Sequence, residues 1–210
     1  MSLIAASSGG TYTPAPVGNH LAICIRVIDI GTQVTPFKDE ETGEQKSAHQ
    51  VIVTWELCNE MMPDGRPFTV NKYYTCSLHE KATLRQHLDA WRGREFTDEE
   101  LKGFHLKNIL GKPCMVQVAH KSRTDGKVSA NVAAVASVPK GMTIPAQVNP
   151  SVLFDLDEWN DALFASLGDH LKQTILKSNE AKAKGIAPAY TPPAATTEPD
   201  PWPADEEPPF

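Results

Sequence analysis

Two segments decide the fold of this chain: His49-Gln-Val-Ile-Val-Thr-Trp-Glu-Leu-Cys58 and Arg66-Pro-Phe-Thr-Val-Asn-Lys-Tyr-Tyr-Thr-Cys76. Both are rich in β-branched and aromatic residues, which suit a pleated, half-buried surface. Between them stands Pro63-Asp64-Gly65, in which proline fixes one φ angle and glycine tolerates a positive φ. The sequence therefore predicts a β-hairpin over residues 49–76, and the other segments are arranged around it.

One face of the second strand has an unusual composition. Phe68, Val70, Lys72 and Tyr74 alternate along it, so two aromatic residues accompany a cation. This mixture suits a ligand that is both flat and anionic, although Phe68 is also compatible with a place in the core beside Val70. On the first strand Trp55 is in register with aliphatic residues, which favours packing, and it is also a candidate ligand contact.

The composition predicts one domain with tails. The chain has 210 residues, of which 40% are hydrophobic and 22% charged, and this length suits one core better than two large domains. Residues 186–210 hold five of the 26 acidic residues and no Lys or Arg, so the rest of the chain has 21 acids against 20 bases. A near-neutral body argues against strong non-specific duplex binding, so a nucleic-acid site must be a local cationic patch.

The cysteines at positions 24, 58, 76 and 114 stand singly in apolar, strand-like runs, and we expect buried free thiols. The first segment has no basic region before its apolar residues, and no apolar run is long enough to span a bilayer. We therefore expect a protein of the reducing cytoplasm that does not associate with membranes.

A first strand is predicted over His20 to Ile30. Its alternation predicts an inward face made of Leu21, Ile23, Ile25 and Val27. Arg26 then lies on the opposite, outer face with Ala22 and Cys24. The polar segment 35–48 is predicted to be a mobile loop between this strand and the hairpin.

Helical segments follow the hairpin. Ser77 and Glu80 are typical of a capping box, which predicts the start of a helix here, and Gly93 can cap its end. The helix has one apolar face, formed by Leu84, Leu88 and Trp91. A second capping box, Thr97 with Glu100, predicts a further short turn of helix.

Two more strands, over 112–120 and 126–138, are joined by the cationic loop 120–127. We divide the chain into a flexible arm (1–18), a β domain (19–139), a helical appendage (140–184), and a proline-rich linker with an acidic tail (185–210). Asp155 and Glu158 are predicted to cap the first helix of the appendage. The appendage could pack on the sheet edge or on a second subunit, and in the second case the protein would be a homodimer.

The sequence predicts a protein without catalytic activity. It contains no phosphate-binding glycine loop, no nucleophile elbow and no zinc-deaminase signature. The closely spaced carboxylates Asp155, Asp157 and Glu158 lack the glycine and terminal glutamate of a calcium loop, and helix capping explains them better. We expect no catalytic residue, no metal site and no cofactor.

Three strands, a helix and two strands are the element order of an OB-fold, a small, partly open barrel of five strands. Such a barrel binds oligonucleotides on the face of its second and third strands and on two loops, here 35–48 and 120–127. Aromatic rings that stack on bases, together with a cationic groove, give sequence-tolerant binding of single strands. The candidate DNA-binding residues are Arg26, Lys38, Lys46, Trp55, Arg66, Phe68, Lys72, Tyr74, Lys121, Arg123 and Lys127.

The C-terminal end has a more specific resemblance. After the proline-rich linker the chain ends in Asp205-Glu206-Glu207-Pro208-Pro209-Phe210. An OB-fold body followed by such a linker and tip resembles the bacterial and phage single-stranded-DNA-binding proteins, and the long hairpin is similar to phage members. The resemblance implies that this tip docks its phenylalanine on replication, recombination and repair proteins. Pro208 departs from the family, in which an aliphatic residue is usual, and so do the helices at 155–184.

We therefore expect a phage-type protein that coats and protects single-stranded DNA during phage replication or recombination in the host cytoplasm. It would recruit partner proteins through its acidic tip. A strand-annealing or recombination-mediator protein is the alternative within nucleic-acid metabolism. A protein-interaction module that binds no nucleic acid is the alternative from another class.

Overall fold

One sheet of six strands organises the chain in the computed structural model, which describes residues 13–38, 42–122 and 126–186. Five strands are antiparallel to their neighbours, and the short sixth runs parallel to the first. The strands are β1 (Gly18–Lys38), β2 (Gln45–Met61), β3 (Pro67–Thr75), β4 (Pro113–Ser122), β5 (Val128–Ala136) and β6 (Val152–Phe154). The helices are α1 (Thr83–Arg92), α2 (Asp98–Leu101), α3 (Asp161–Ser166), α4 (Asp169–Lys177) and α5 (Asn179–Ala183).

The strand order is β3-β2-β1-β4-β5, with β6 paired to β1. Within the described residues no backbone ladder joins the outer strands β3 and β5, so the sheet is open. Lys72 of β3 nevertheless reaches β5, where its Nζ donates to the carbonyl oxygen of Val132 at 3.0 Å. The prediction of a mainly β protein is therefore confirmed, and a closed five-stranded barrel is not formed by backbone pairing.

The hairpin predicted over residues 49–76 is confirmed as β2 and β3. Gly65 has a φ of +83°, and its amide donates to the carbonyl oxygen of Met62 at 2.9 Å, which closes the turn. The prediction of a loop over 35–48 is wrong, because β1 continues to Lys38 and β2 begins at Gln45. These two strand ends form a ribbon, in which Thr35 Oγ1 donates to the carbonyl oxygen of Lys46 at 2.8 Å.

Helix α1 covers the inner face of the sheet. Its predicted apolar face of Leu84, Leu88 and Trp91 is buried, and Trp91 Nε1 donates to the carbonyl oxygen of Pro113 at 2.8 Å. Gly93 ends the helix with a φ of +68°, as predicted. The Ser77–Glu80 capping box is not formed, because α1 begins at Thr83 without a side-chain cap. The Thr97–Glu100 box is confirmed at the start of α2.

The appendage packs on the sheet of its own chain. Apolar residues of β1 and β2 meet apolar residues of the appendage in a second core, formed by Ile28, Ile30, Ile52, Phe154, Leu156, Leu167 and Ile175. Glu180 of α5 accepts hydrogen bonds from the backbone nitrogen and Oγ1 of Thr32, at 2.7 and 2.6 Å. The prediction that Asp155 and Glu158 cap a helix is wrong. Asn160 caps α3, and the residues just before Asp155 form β6.

The last residues of the predicted N-terminal arm are packed. Ala15 is buried, and the carbonyl oxygens of Ala15 and Pro16 lie 2.8 and 2.9 Å from the Nε2 atoms of His120 and His20. The four cysteines are free, and Cys76 is exposed, in contrast to the predicted burial. No helix in the described part of the chain is long and apolar enough to cross a bilayer. Residues 1–12, the linker from 187 and the acidic tip at 205–210 lie outside the described residues.

Candidate nucleic-acid interface

The three predicted aromatic contacts lie in the core. Trp55, Phe68 and Tyr74 expose 1%, 7% and 4% of their surface. Trp55 packs against Trp91 with ring centroids 6.1 Å apart, and the Tyr74 hydroxyl lies 2.7 Å from Nδ1 of His87. This arrangement contradicts the prediction that these rings stack on bases, because α1 covers the sheet face on which they lie.

Lys72 lies on the same inward face of β3 as Phe68 and Tyr74, at the edge of the core. It is half-buried, and its hydrogen bond to Val132 ties β3 to β5. Burial, together with the nearby charge of Lys72, lowers the pKa of His87 to about 4. Lys72, predicted as a DNA contact on the same face as Phe68 and Tyr74, is therefore placed on the covered face of the hairpin, with its ammonium group bonded to β5.

Arg26 reaches the outer face through an irregularity in β1. Cys24 pairs with Trp55 and Arg26 pairs with Thr54, so Ile25 is an extra residue between the two pairs. In a regular strand Cys24 and Arg26 would share a face, whereas here Cys24 is buried and Arg26 is exposed. The outward position of Arg26 is confirmed by this structure.

The predicted inner face of β1 is wrong for the residues before the irregularity. Ala22 and Cys24 belong to the core under α1. Leu21, Ile23 and Ile25 are also buried, but they lie outside that cluster. Alternation alone could not decide the inward face, because both faces of β1 are covered along much of its length.

Arg26 and Arg66 line one open cleft of about 210 Å³ on the outer face of the sheet. The other lining residues are Ile25, Thr54, Met62, Pro67, Thr69 and Asn149. Among the described residues no carboxylate is paired with Arg26. Arg66 is ion-paired with the exposed Asp64 at 2.6 Å, and this hydrogen bond raises the pKa of the guanidinium. The cleft therefore offers two guanidinium groups and several hydrogen-bonding side chains to an anion.

We define the strap as residues 142–149 between β5 and β6, and its last residue, Asn149, lines the cleft. The Glu56 side chain of β2 accepts hydrogen bonds from the backbone nitrogens of Val148 and Asn149 and from Asn149 Nδ2, each at 2.8 Å. Glu56 is 1% exposed. Three donors satisfy its buried carboxyl oxygens, so the end of the strap that meets the cleft is held in place.

The appendage limits the outer face on one side. Arg26 is paired with Thr54, and Thr54 with Asn71, which makes one row across β1, β2 and β3. Two positions farther along, the row Ile28, Ile52 and Tyr73 is covered by the appendage. The polar row and the cleft beside it are therefore the part of this face that stays open to a ligand.

The other predicted cations that the structure describes are not among the residues that line the cleft. Lys38 and Lys46 are exposed on the ribbon at the ends of β1 and β2. Lys121 is half-buried near the end of β4, and Lys127 is exposed just before β5. Arg123 lies outside the described residues. Of the eleven predicted DNA-binding residues, the cleft brings together Arg26 and Arg66.

The sequence prediction missed Glu56, Thr54, Thr69 and the strap. Thr54 and Thr69 carry no signal of their own, since threonine is common in any strand. Glu56 acquires its role from a partner 92 residues away, and no local pattern could indicate that contact.

Within the described residues no cluster of His, Cys, Asp and Glu could hold a metal ion. No protein-family model matches the chain, and no curated protein matches it significantly in sequence.

Proposed function

We propose that this protein binds single-stranded DNA with little sequence preference, through the cleft on the outer face of β1, β2 and β3. One observation carries the proposal. Arg26 and Arg66, which belong to different segments, converge on one polar cleft that is open to solvent. Guanidinium groups are well suited to phosphate oxygens, and two arginines that line one cleft suit a phosphodiester chain.

The strand order supports an OB-type barrel as the scaffold of the proposal. In an OB-fold, the second and third strands and the neighbouring loops form the oligonucleotide surface. Here β2 and β3 contribute Thr54 and Thr69 to the cleft, and the ribbon carries Lys38 at the end of β1 and Lys46 at the start of β2. A partly open barrel is compatible with the absence of a ladder between β3 and β5 among the described residues.

The charge distribution favours single strands over duplex. The chain outside the acidic tail has nearly equal numbers of acids and bases, so it lacks the broad cationic surface that duplex binding needs. Two arginines imply few phosphate contacts and a shallow dependence of affinity on salt. A flexible single strand can bend its backbone into a cleft that a rigid duplex cannot follow.

The acidic tip is the proposed docking segment for replication, recombination or repair proteins. Its acids precede a terminal Pro-Phe, as in the single-stranded-DNA-binding proteins that the sequence resembles. The full chain and a chain without Phe210 should both bind oligo-dT, whereas capture of replication proteins from a bacterial extract should require Phe210. Equal capture by the two chains would contradict this role of the tip.

Fluorescence anisotropy with labelled oligo-dT and a duplex of equal length tests the proposed function. We expect the protein to prefer the single strand. Arg26→Ala and Arg66→Ala should each weaken binding by about three- to tenfold. Each should also reduce the salt slope, which is the slope of log affinity against log salt concentration, by about 0.7 in magnitude. The matched control is Lys102→Ala, which removes an exposed cation outside the cleft that pairs with Glu99 at 2.7 Å. Unchanged affinity in both arginine variants, or no binding to oligo-dT, would contradict the proposal.

A further inference from the structure

The strap carries exposed apolar side chains, and its C-terminal end is held in place by hydrogen bonds. Met142, Ile144 and Val148 expose 41%, 44% and 64% of their surface. They are three of the seven large hydrophobic residues that are exposed in the described part of the chain. Single exposed apolar residues need no explanation, but three of them within seven positions make the strap the segment of the described chain where such residues are most concentrated.

The strap is attached firmly at the end that meets the cleft. Glu56 holds the backbone nitrogens of Val148 and Asn149, and Gln147 Nε2 donates to Ser151 Oγ at 3.0 Å. Asn149 lines the cleft together with Arg26 and Arg66. Val148 therefore directly precedes a residue that lines the cleft, and a buried carboxylate holds its backbone.

We propose that the strap contacts the bases of a DNA strand whose phosphates lie on Arg26 and Arg66. This inference rests on the proposed function and names the residues that contact bases at the same site. Every base offers a flat, largely apolar face, and the aromatic rings that would ordinarily stack on it are buried here. Ile144 and Val148 give such a face aliphatic contacts, and Met142 adds a flexible, polarisable side chain.

The arrangement separates two kinds of contact. The arginines interact with the sugar-phosphate chain and do not depend on the presence of bases. The strap interacts with bases through apolar surface, which salt does not screen. Contacts of this kind discriminate little among bases, because they involve no hydrogen-bond pattern.

Anisotropy titrations with oligo-dT and with an abasic oligonucleotide of the same length test the inference. The variant Ile144→Ser/Val148→Ser should lose about tenfold in affinity for oligo-dT and keep its affinity for the abasic strand and its salt slope. Arg26→Ala should weaken binding to both strands and reduce the salt slope. Val17→Ser is the matched control, because Val17 is 60% exposed and precedes β1, far along the strand from Arg26.

Thermal unfolding of the double variant checks that it remains folded. Val148→Thr, which preserves the shape of the side chain, is a second variant, and we expect it to lose less affinity for oligo-dT than the double variant. Wild-type affinity of the double variant for oligo-dT would overturn the inference and leave the proposed function intact. An equal loss for oligo-dT and for the abasic strand would also overturn it. If the wild-type protein bound neither strand, the proposed function and this inference would both fail.

Discussion

Tyr74 and His87 form a buried polar pair between β3 and α1. The Tyr74 oxygen lies 2.7 Å from His87 Nδ1. Burial raises the pKa of Tyr74 well above its usual value, so the phenol keeps its proton. Burial and the charge of Lys72 lower the pKa of His87 from 6.5 to about 4, so the imidazole is neutral at pH 7. Tyr74 and His87 therefore share a hydrogen bond in which neither group carries a charge.

This pair predicts a pH dependence of stability. His87 has a lower pKa in the folded state than in the unfolded chain, so the unfolded state binds more protons between pH 6.5 and about 4. The free energy of unfolding should accordingly fall as the pH falls from 6.5 to about 4, with His87 contributing a loss of about 3 kcal/mol. Urea unfolding at several pH values measures this, with His87→Gln as the comparison. If His87→Gln kept the full slope in this window, the pH dependence would have another origin.

The aromatic face of β3 was predicted to contact a ligand and is buried instead, for a physical reason. The sequence grouped Phe68, Val70, Lys72 and Tyr74 on one face correctly, but it could not decide whether that face turned inward. Both faces of the hairpin contain apolar residues, such as Val53 on one and Ile52 on the other, and both are buried. The cover for the Ile52 face comes from residues about a hundred positions later, which no local pattern indicates.

At the scale of elements, the contact between β1 and α5 decides how the appendage is placed. Gly31 has a φ of +71°, and a Cβ atom at this position would lie 2.6 Å from Glu180 Oε2 and 2.6 Å from Ser178 Cβ. Glycine is therefore needed both for the backbone conformation and for the close approach of α5. The neighbouring Thr32 binds Glu180 through two hydrogen bonds.

Gly31→Ala should destabilise the protein by about 3 kcal/mol, because the left-handed conformation and the steric overlap both cost free energy. The matched control is Gly43→Ala, since Gly43 has nearly the same φ, +70°, and a Cβ atom added there would meet no other atom within 4 Å. The control should lose only about 1 kcal/mol. Thermal or urea unfolding compares the two variants, and equal losses would contradict the close packing of α5 on β1.

The elements themselves were largely predictable from the sequence. The hairpin, the apolar face of α1 and the Thr97–Glu100 capping box follow from local periodicity and capping chemistry. The ribbon was missed because polar residues at 35–48 suggest a loop, whereas β1 extends to Lys38 and β2 begins at Gln45. The strap was missed because it has no periodicity and depends on the distant Glu56.

At the scale of the whole molecule, function depends on how charge is distributed. The body is near neutral, and the acids in excess lie in the C-terminal tail. Arg26 and Arg66 therefore act as a local patch against a weak overall field, and affinity should come from contacts in the cleft. The appendage covers one side of the outer face, and the cleft on the uncovered side is where we propose that a DNA strand binds.

Hydrogen exchange of the full chain, with and without saturating oligo-dT, tests the central claim most directly. If single-stranded DNA binds in the cleft, exchange should slow around Arg26, Thr54 and Thr69 and in the strap, while the amides of α4 and α5 remain unchanged. Protection confined to α1 or to the helices α3, α4 and α5, with none at the cleft, would contradict the account.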